Sequence, residues 1–403
     1  MTKPNLLFNA HESAPQGYRF CGLASGIKEN GKLDLAMIVS DRPAKAVAVF
    51  TTNRLQAAPV LQGKKVLKKN LLRAIVANSG NANAATGLAG LKNAEKTAQA
   101  TAKALGVSAD QVLVSSTGKI GVPLPLQKIE MALPQAISEL SETGMQKAAE
   151  AIMTTDAFPK IHQVSGKIKG KTFTVSGFAK GAGMIEPHMA TMLAYIMTDL
   201  DLKVSEMKQV FKKTVDKSFN AISVDGDCST NDTAVLLANG ASGINLNSKT
   251  KDFKRFEAAL LEVCQKLARM MVEDGEGATK VVEIKVRGAK SDLSAKKIAY
   301  SIARSQLVKT SFFGQDPNWG RVFAAVGYSG ESFDPAKVDI YYGKIPLVRR
   351  GAPTGGDSRA QAHEVMKSPS FKVLVDLKTG KGEAELWTSD LGYEYVKINA
   401  EYN

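Results

Sequence analysis

Along the first half of the chain the hydrophobic positions fall into short runs of β type, at 35–39, 46–52, 74–77, 112–115 and 173–178. Helical spacing lies between them. In 91–105, Leu91, Ala94, Ala98, Ala102 and Leu105 share one helix face, and Gly106 is placed to end the helix. The second half predicts a helix over 204–219 with Val204, Met207, Phe211 and Val215 inward, then a strand at 234–238. A longer helix follows, in which Phe253, Phe256, Leu260, Val263, Leu267 and Met270 keep three-and-four spacing. Strands are expected at 281–286, 338–342, 372–377 and 383–398, the last two as a hairpin around Thr379-Gly380. Together these elements imply a mixed α/β fold with layered sheets. No repeat, low-complexity linker or Pro-rich hinge interrupts them, so one continuous body is expected.

Composition narrows the class. With 403 residues, 44% hydrophobic and 23% charged, the chain has ample material for a core and is too apolar to be disordered. A net charge of +14 raises the question of an acidic partner. The doublets Lys64-Lys65, Lys68-Lys69, Lys212-Lys213 and Arg349-Arg350 are dispersed and have no aromatic residues interleaved to stack bases. They read as solvated surface, with an excess that favours anionic metabolites or cofactors over nucleic acid. Cys21, Cys228 and Cys264 have neither disulfide-framework nor zinc-site spacing. The N-terminal segment lacks an apolar signal region, and the longest uncharged apolar run, 189–198, is too short to span a bilayer. A soluble cytoplasmic protein is the expectation.

Several catalytic signatures fail on spacing. Gly170-Lys171-Thr172 ends like a phosphate-binding loop, but Ser165 stands where that motif needs glycine. No G-x-S-x-G elbow occurs, and His363-Glu364 is not followed by a second histidine at zinc-binding distance. Asp225-Gly226-Asp227 opens like a calcium loop, yet Leu236 occupies its twelfth position. With only His11, His162, His188 and His363 in the chain, no metal site is expected.

Residues 180–199 read KGAGMIEPHMATMLAYIMTD, a Gly-rich loop that delivers Ala190-Thr191 to an apolar run. The small Ala190 leaves its carbonyl open to attack by Thr191 Oγ, and Gly181 and Gly183 give the backbone freedom. An N→O acyl shift and ester hydrolysis would then free Thr191 as a new chain start. Its α-amine, with a pKa of about 7.7–8.0, could take the hydroxyl proton, so one residue would serve as nucleophile and base. From the residues alone, the favoured reading of Thr191 is a β-branched residue opening a buried strand.

The stretch KGAGMIEPHMATML resembles the processing site of the ornithine acetyltransferase family, also called glutamate N-acetyltransferases. The resemblance continues in order through Asn78-Ser-Gly-Asn-Ala-Asn83, Ser115-Ser-Thr-Gly118, Ala151-Ile-Met-Thr-Thr-Asp156, Ser223-Val-Asp-Gly-Asp-Cys-Ser-Thr-Asn-Asp232, Gly275-Glu-Gly-Ala-Thr-Lys280, Asp316-Pro-Asn-Trp-Gly-Arg321 and Ile398-Asn-Ala400. It covers essentially the whole chain. It implies a layered α/β/β/α sandwich of the type shared with DmpA aminopeptidases, cut between Ala190 and Thr191. The pieces would be an α chain, 1–190, and a β chain, 191–403, assembled as a heterotetramer of two αβ heterodimers.

The implied activity is transfer of acetyl from N-acetylornithine to glutamate through an acetyl ester on Thr191, with no bound cofactor. A bifunctional branch of the family also takes acetyl from acetyl-CoA, which is therefore a candidate co-substrate. Thr117 and Gly118 match the family's oxyanion hole, and Thr154, Lys180, Thr191, Glu276 and Asn399 match its substrate-binding positions, with Thr155 the neighbour of Thr154 in a shifted register. Without the family, 115–118 is a strand end and turn, while Lys180, Glu276 and Asn399 are ordinary surface residues. Two departures are visible: Ala157 stands where threonine is common, and no Thr or Ser follows five residues after Asn399. The same fold also serves N-terminal-nucleophile amide hydrolases and aminopeptidases, in which water is the acceptor.

Overall fold

The structure, a computed structural model, describes residues 14–29, 31–186 and 192–401. The Ala190-Thr191 junction lies outside the described residues. The chain opens with β1 (Tyr18–Leu23), β2 (Leu35–Phe50), α1 (Ala58–Val66), β3 (Leu71–Asn81), α2 (Gly87–Leu105) and β4 (Val112–Lys119). Next come α3 (Leu126–Ser138), α4 (Met145–Ala151), β5 (Lys160–Ile168), β6 (Lys171–Lys180) and β7 (Leu193–Thr198). Then follow α5 (Val204–Asp216), β8 (Ile222–Ser223), β9 (Thr233–Ala238) and α6 (Lys251–Glu273). Eight strands pair in the order β4-β3-β2-β9-β7-β6-β5, with β1 added to β2.

Alternation of side chains shows how this sheet is layered. Ala36 and Ile38 of β2 join a core with Ile75, Leu113, Phe178, Tyr195 and Val235. Leu35, Met37 and Val39 turn the other way, onto Ala98 and Ala102 of α2 and Leu133 of α3. Ala194, Ile196 and Leu236 meet Phe211 of α5 and Phe256 and Leu260 of α6. The inner core is therefore shared by β1–β4 and by β6, β7 and β9, and the Phe20 and Phe178 rings meet across it edge-on at 6.3 Å. Helices cover both outer faces, giving the expected α/β/β/α order. β2 joins the halves: its register on β3 jumps between Val39 and Ala44, and it then pairs with β9. The separate strands expected at 35–39 and 46–52 are this one strand.

A second sheet is built from β10 (Val281–Ala289), β11 (Asp339–Tyr342), β12 (Ile345–Arg349), β13 (Ala352–Pro353), β14 (Ser370–Asp376) and β15 (Gly382–Ser389), with β8 at its edge. The helices α7 (Asp292–Arg304), α8 (Gln306–Phe313), α9 (Trp319–Gly327) and α10 (Ser358–Lys367) accompany it, and Ile298, Phe312, Val322 and Met366 pack on its Ile284 and Val373. The last element is α11 (Tyr393–Ala400). Strands from both sides of position 190 build the first sheet, whereas the second comes entirely from the later part.

Three expectations are corrected. The 372–377 and 383–398 segments do not form a hairpin. β10 lies between β14, which is parallel to it, and β15, which is antiparallel. The Thr379 and Gly380 amides bond the Gly288 carbonyl, so the Thr-Gly turn arches over the end of β10 instead of closing two adjacent strands. The strand at 383–398 stops at Ser389, and 393–400 is α11, a helix with no fully buried residue and hence no apolar stripe to read. The helix expected over 204–219 ends at Asp216, with a separate helical turn at Phe219–Ala221.

Candidate active site

β6 and β7 are antiparallel with Lys180 opposite Leu193, so the connection bearing Ala190-Thr191 leaves and re-enters at one end of the sheet. The ends of β4 and of the 152–159 loop reach the same place. The Lys180 ammonium donates to Thr154 Oγ1 at 2.7 Å and to Thr117 Oγ1 at 3.3 Å, and is only 3% exposed. Burial lowers the Lys180 pKa, Asp156 opposes this, Lys160 reinforces it, and Asp232 and Glu276 oppose it. Because Thr117 accepts from Lys180, its own hydroxyl hydrogen stays available to donate.

Asp156 anchors this corner. Its Oδ1 accepts from Gly181 N and Lys160 Nζ, both at 2.7 Å, and its Oδ2 accepts from Thr154 N at 2.9 Å. Burial would raise its pKa, but the Lys160 and Lys180 charges and these hydrogen bonds win and hold it well below the usual carboxylate range. Lys160 is itself fully buried and bonds Asp274 Oδ2 at 2.7 Å. Asp274 also accepts from the Ala157 amide at 2.9 Å, so the departure at Ala157 costs no backbone contact, and its side chain points outward.

Both flanks of 187–191 are tied to residues 223–233. Asp225 accepts from Met184 N (2.6 Å) and Ile185 N (2.9 Å), while Glu186 pairs with Arg304 and accepts from Ser223 Oγ at 3.1 Å. On the other side Asp232 Oδ1 accepts from Met192 N at 2.9 Å, and Thr233 N donates to Met192 O at 3.0 Å. Asp232 is fully buried and its Oδ2 has no hydrogen-bond partner among the described residues. Burial pushes its pKa well up, against the Met192 amide, Thr51 and Lys180.

Farther along the same wall, Asn399 Nδ2 donates to Glu276 Oε2 at 2.7 Å. Gly183 lies against that carboxylate so closely that a Cβ there would sit 2.6 Å from Oε1. Hydroxyls, a buried ammonium, carboxylates and a carboxamide thus surround the ends of one loop, an arrangement suited to a substrate bearing charges of both signs.

The ArgJ family model matches residues 19–403. The chain belongs to the ArgJ family. It is 48% identical over 388 residues to the arginine biosynthesis bifunctional protein ArgJ of Geobacter sulfurreducens, covering 96% of this chain and 99% of that one. It is 45% identical over 401 residues to the glutamate N-acetyltransferase of Methanocaldococcus jannaschii, covering 97% and 98%. The solved structure of the arginine biosynthesis bifunctional protein argJ from Bacillus halodurans matches with TM-score 0.50 and 36% identity, over 52% of this chain and 98% of that chain.

In this ArgJ-family chain the residues singled out in sequence form two groups. Thr117, Thr154 and Lys180 are in direct contact, and it is Thr154, not Thr155, whose hydroxyl receives the Lys180 ammonium. Glu276 and Asn399 form the second group, within electrostatic reach of Lys180. The sequence does not single out Asp232, Lys160 and Asp274 as site residues: apart from Asp156, four positions before Lys160, their partners come from distant segments. Two of the polar blocks also acquire a place. Asn231 Nδ2 donates to the carbonyls of Ala82 (2.6 Å) and Ser116 (2.8 Å), and Ser116 Oγ to Asn78 Oδ1 (2.6 Å), which fixes the end of β4. The 314–321 block instead forms the capped turn between α8 and α9, where Asn318 accepts from the Arg321 amide. Among the described residues no cluster of His, Cys, Asp and Glu could hold a metal, and no helix is long and apolar enough to cross a membrane.

Gly118 offers a direct test. Its φ is +134°, and a Cβ would lie 2.3 Å from the Gly80 carbonyl carbon. Gly118→Ala must push the β4 end away from β3 and misdirect the 117–118 donors. With Gly118 in the oxyanion hole, as the family resemblance implies, the expected result is a fall in kcat of about 10²–10³, the cost typical of losing such a donor, in a protein that still folds. Steady-state kinetics beside a thermal melt checks it; an unchanged kcat removes Gly118 from the site.

Proposed function

We propose that this ArgJ-family acyltransferase moves acetyl from N-acetylornithine to glutamate in a ping-pong cycle through acetyl-Thr191, after its own Ala190-Thr191 bond is cut. The supporting observation is the buried Lys180 ammonium bridging the Thr117 and Thr154 hydroxyls opposite Leu193, two residues from Thr191 in the chain. In this reading Thr191 Oγ attacks the acetyl carbonyl while its α-amine takes the proton. Thr117 Oγ and the Gly118 amide stabilise the oxyanion, ornithine leaves with a proton, and the glutamate amine then resolves the ester. Lys180 suits a substrate carboxylate, and Glu276, oriented by Asn399, suits the ornithine ammonium.

The cut would divide the chain into 1–190 and 191–403, both supplying strands to the first sheet and held together by the Met184 and Ile185 amides on Asp225 and the Thr51 amide on the Asp232 carbonyl. The solved relative supports this: its chain is matched over 98% of its length by 52% of this one, a share close to that of 191–403. Two such αβ heterodimers would assemble as a heterotetramer in the cytoplasm. Acetyl-CoA is the further acetyl donor that the family resemblance implies for a bifunctional member.

The experiment is ornithine release from N-acetylornithine by the purified enzyme, with and without glutamate. Transfer requires release to depend on glutamate after one turnover, with N-acetylglutamate formed in equal amount. Equal rates without glutamate would mean that water is the acceptor and the protein is an amide hydrolase.

A further inference from the structure

Lysine doublets that look scattered along the chain converge in the fold. A groove of about 520 Å³ runs between α1 with its following turn and α5, floored by Val49 and Phe50 of β2 and by Phe211 and Val215 of α5. Lys64 and Lys68 rise on one side and Lys208 and Lys212 on the other, all four exposed. Lys208 and Lys212 are four residues apart on α5, an arrangement of like charges that is unfavourable in isolation, and Lys64 and Lys68 are four apart across α1 and its following turn.

The adjacent lysines show that the charge could have been neutralised. Lys65 pairs with Glu95 at 2.9 Å and Lys69 pairs with Asp110, both on the side away from the groove. None of the four groove lysines makes an ion pair among the described residues, and Lys64 reaches only the Gln56 carboxamide at 2.9 Å. One acid, Asp216, lies at the end of the groove and is bonded by the Asn220 side chain at 3.0 Å. Positive charge is therefore left in place along an apolar floor on which the Phe50 ring is partly exposed.

We propose that this groove binds a phosphorylated nucleotide, its base against the partly exposed Val49 and Phe50 and its phosphates between the two lysine pairs. A volume of this size suits such a ligand, and lysines act on phosphates as unpaired point charges. The groove is distinct from the transfer site but mechanically close to it. Phe50 and Thr52 line it, while Thr51 between them donates its amide to the Asp232 carbonyl at 3.0 Å, and Asp232 holds the Met192 amide. Two sources share this chemistry, the nucleotide end of coenzyme A and a free nucleotide acting as an effector.

The test is calorimetric titration of the full enzyme with adenosine 3′,5′-bisphosphate and with ATP, at low and moderate salt. Saturable binding that weakens with salt is expected. In Lys68→Glu/Lys212→Glu it should fall by about tenfold or more, and Lys68→Gln/Lys212→Gln should lie between, with acetylornithine-to-glutamate transfer unchanged in both. Lys65→Glu, on the outer side, should bind as wild type. Competition between the bisphosphate and acetyl-CoA assigns the groove to the co-substrate, and non-competitive behaviour with either probe assigns it to an effector. Absence of saturable binding up to about 1 mM, or equal affinity in the reversed variants, overturns the proposal. Since binding is read directly, this outcome is separable from any failure of the acetyl-Thr191 mechanism.

Discussion

Thr191→Ala is expected to accumulate as a single polypeptide near 43 kDa, the mass of the whole chain, where the wild type gives two bands of similar size. Its acetyl transfer should fall by at least about 10⁴-fold, the scale seen when a covalent nucleophile is removed. Both effects have one cause. In the proposed cycle the hydroxyl that attacks the Ala190 carbonyl during processing is the hydroxyl that later carries the acetyl group, so its removal leaves no route to either ester. No neighbouring base can make the loss good, because in the alanine variant there is no hydroxyl to activate and, on the proposed mechanism, no cut to release the amine that serves as base. Thr191→Ser keeps the hydroxyl and should be cut, with altered acetylation kinetics. Intact-mass measurement decides the matter: an alanine variant split at the same bond would refute intramolecular attack, and an uncut variant with full activity would refute the need for a free amine.

What could be read beforehand follows from which forces act along the chain and which act across it. The α6 pattern was legible because its inward face, from Phe253 to Met270, packs continuously on the first sheet. β2, β3, β4, β6 and β9 were legible for the same reason, whereas β1 and β5 were not among the expected strands. The hairpin error at Thr379-Gly380 has a different origin: a Thr-Gly turn between two alternating runs looks the same whether it closes neighbours or spans an intervening strand, and only the β10 pairings separate the cases. Lys180, Thr154 and Thr117 could be named by resemblance, but their contact depends on β4, the 152–159 loop and β6 meeting at one end of a sheet. The Asp156–Lys160–Asp274 triad was not legible, since Asp274 arrives from the end of α6, 114 positions from Lys160. The groove lysines were visible as residues and misjudged as dispersed, because their neighbours in sequence, Lys65 and Lys69, point the other way.

Asp156→Asn should cost about 3–5 kcal/mol at pH 7, toward the lower end because Lys160 keeps its 2.7 Å bond to Asp274. The change is nearly isosteric, so packing is not the reason. Both oxygens of Asp156 face donors, Gly181 N and Lys160 Nζ on one and Thr154 N on the other, and the carboxamide must turn an NH₂ group toward one set. A buried lysine then loses half of its compensating charge, while the backbone at Gly181 and Thr154 is released on either side of Lys180. Transfer activity should fall together with stability, since Lys180 would no longer be held between Thr117 and Thr154. The pH dependence carries a definite sign. Asp156 has a lower pKa folded than unfolded, so its contribution is fully present above the ordinary carboxylate value of about 3.9 and is lost as pH falls toward the folded value. The gap in urea midpoint between wild type and Asp156→Asn should therefore be widest near neutrality and narrow below about pH 4. A gap that is absent at pH 7, or that grows on acidification, would show that the Asp156 carboxylate does not anchor this corner of the site.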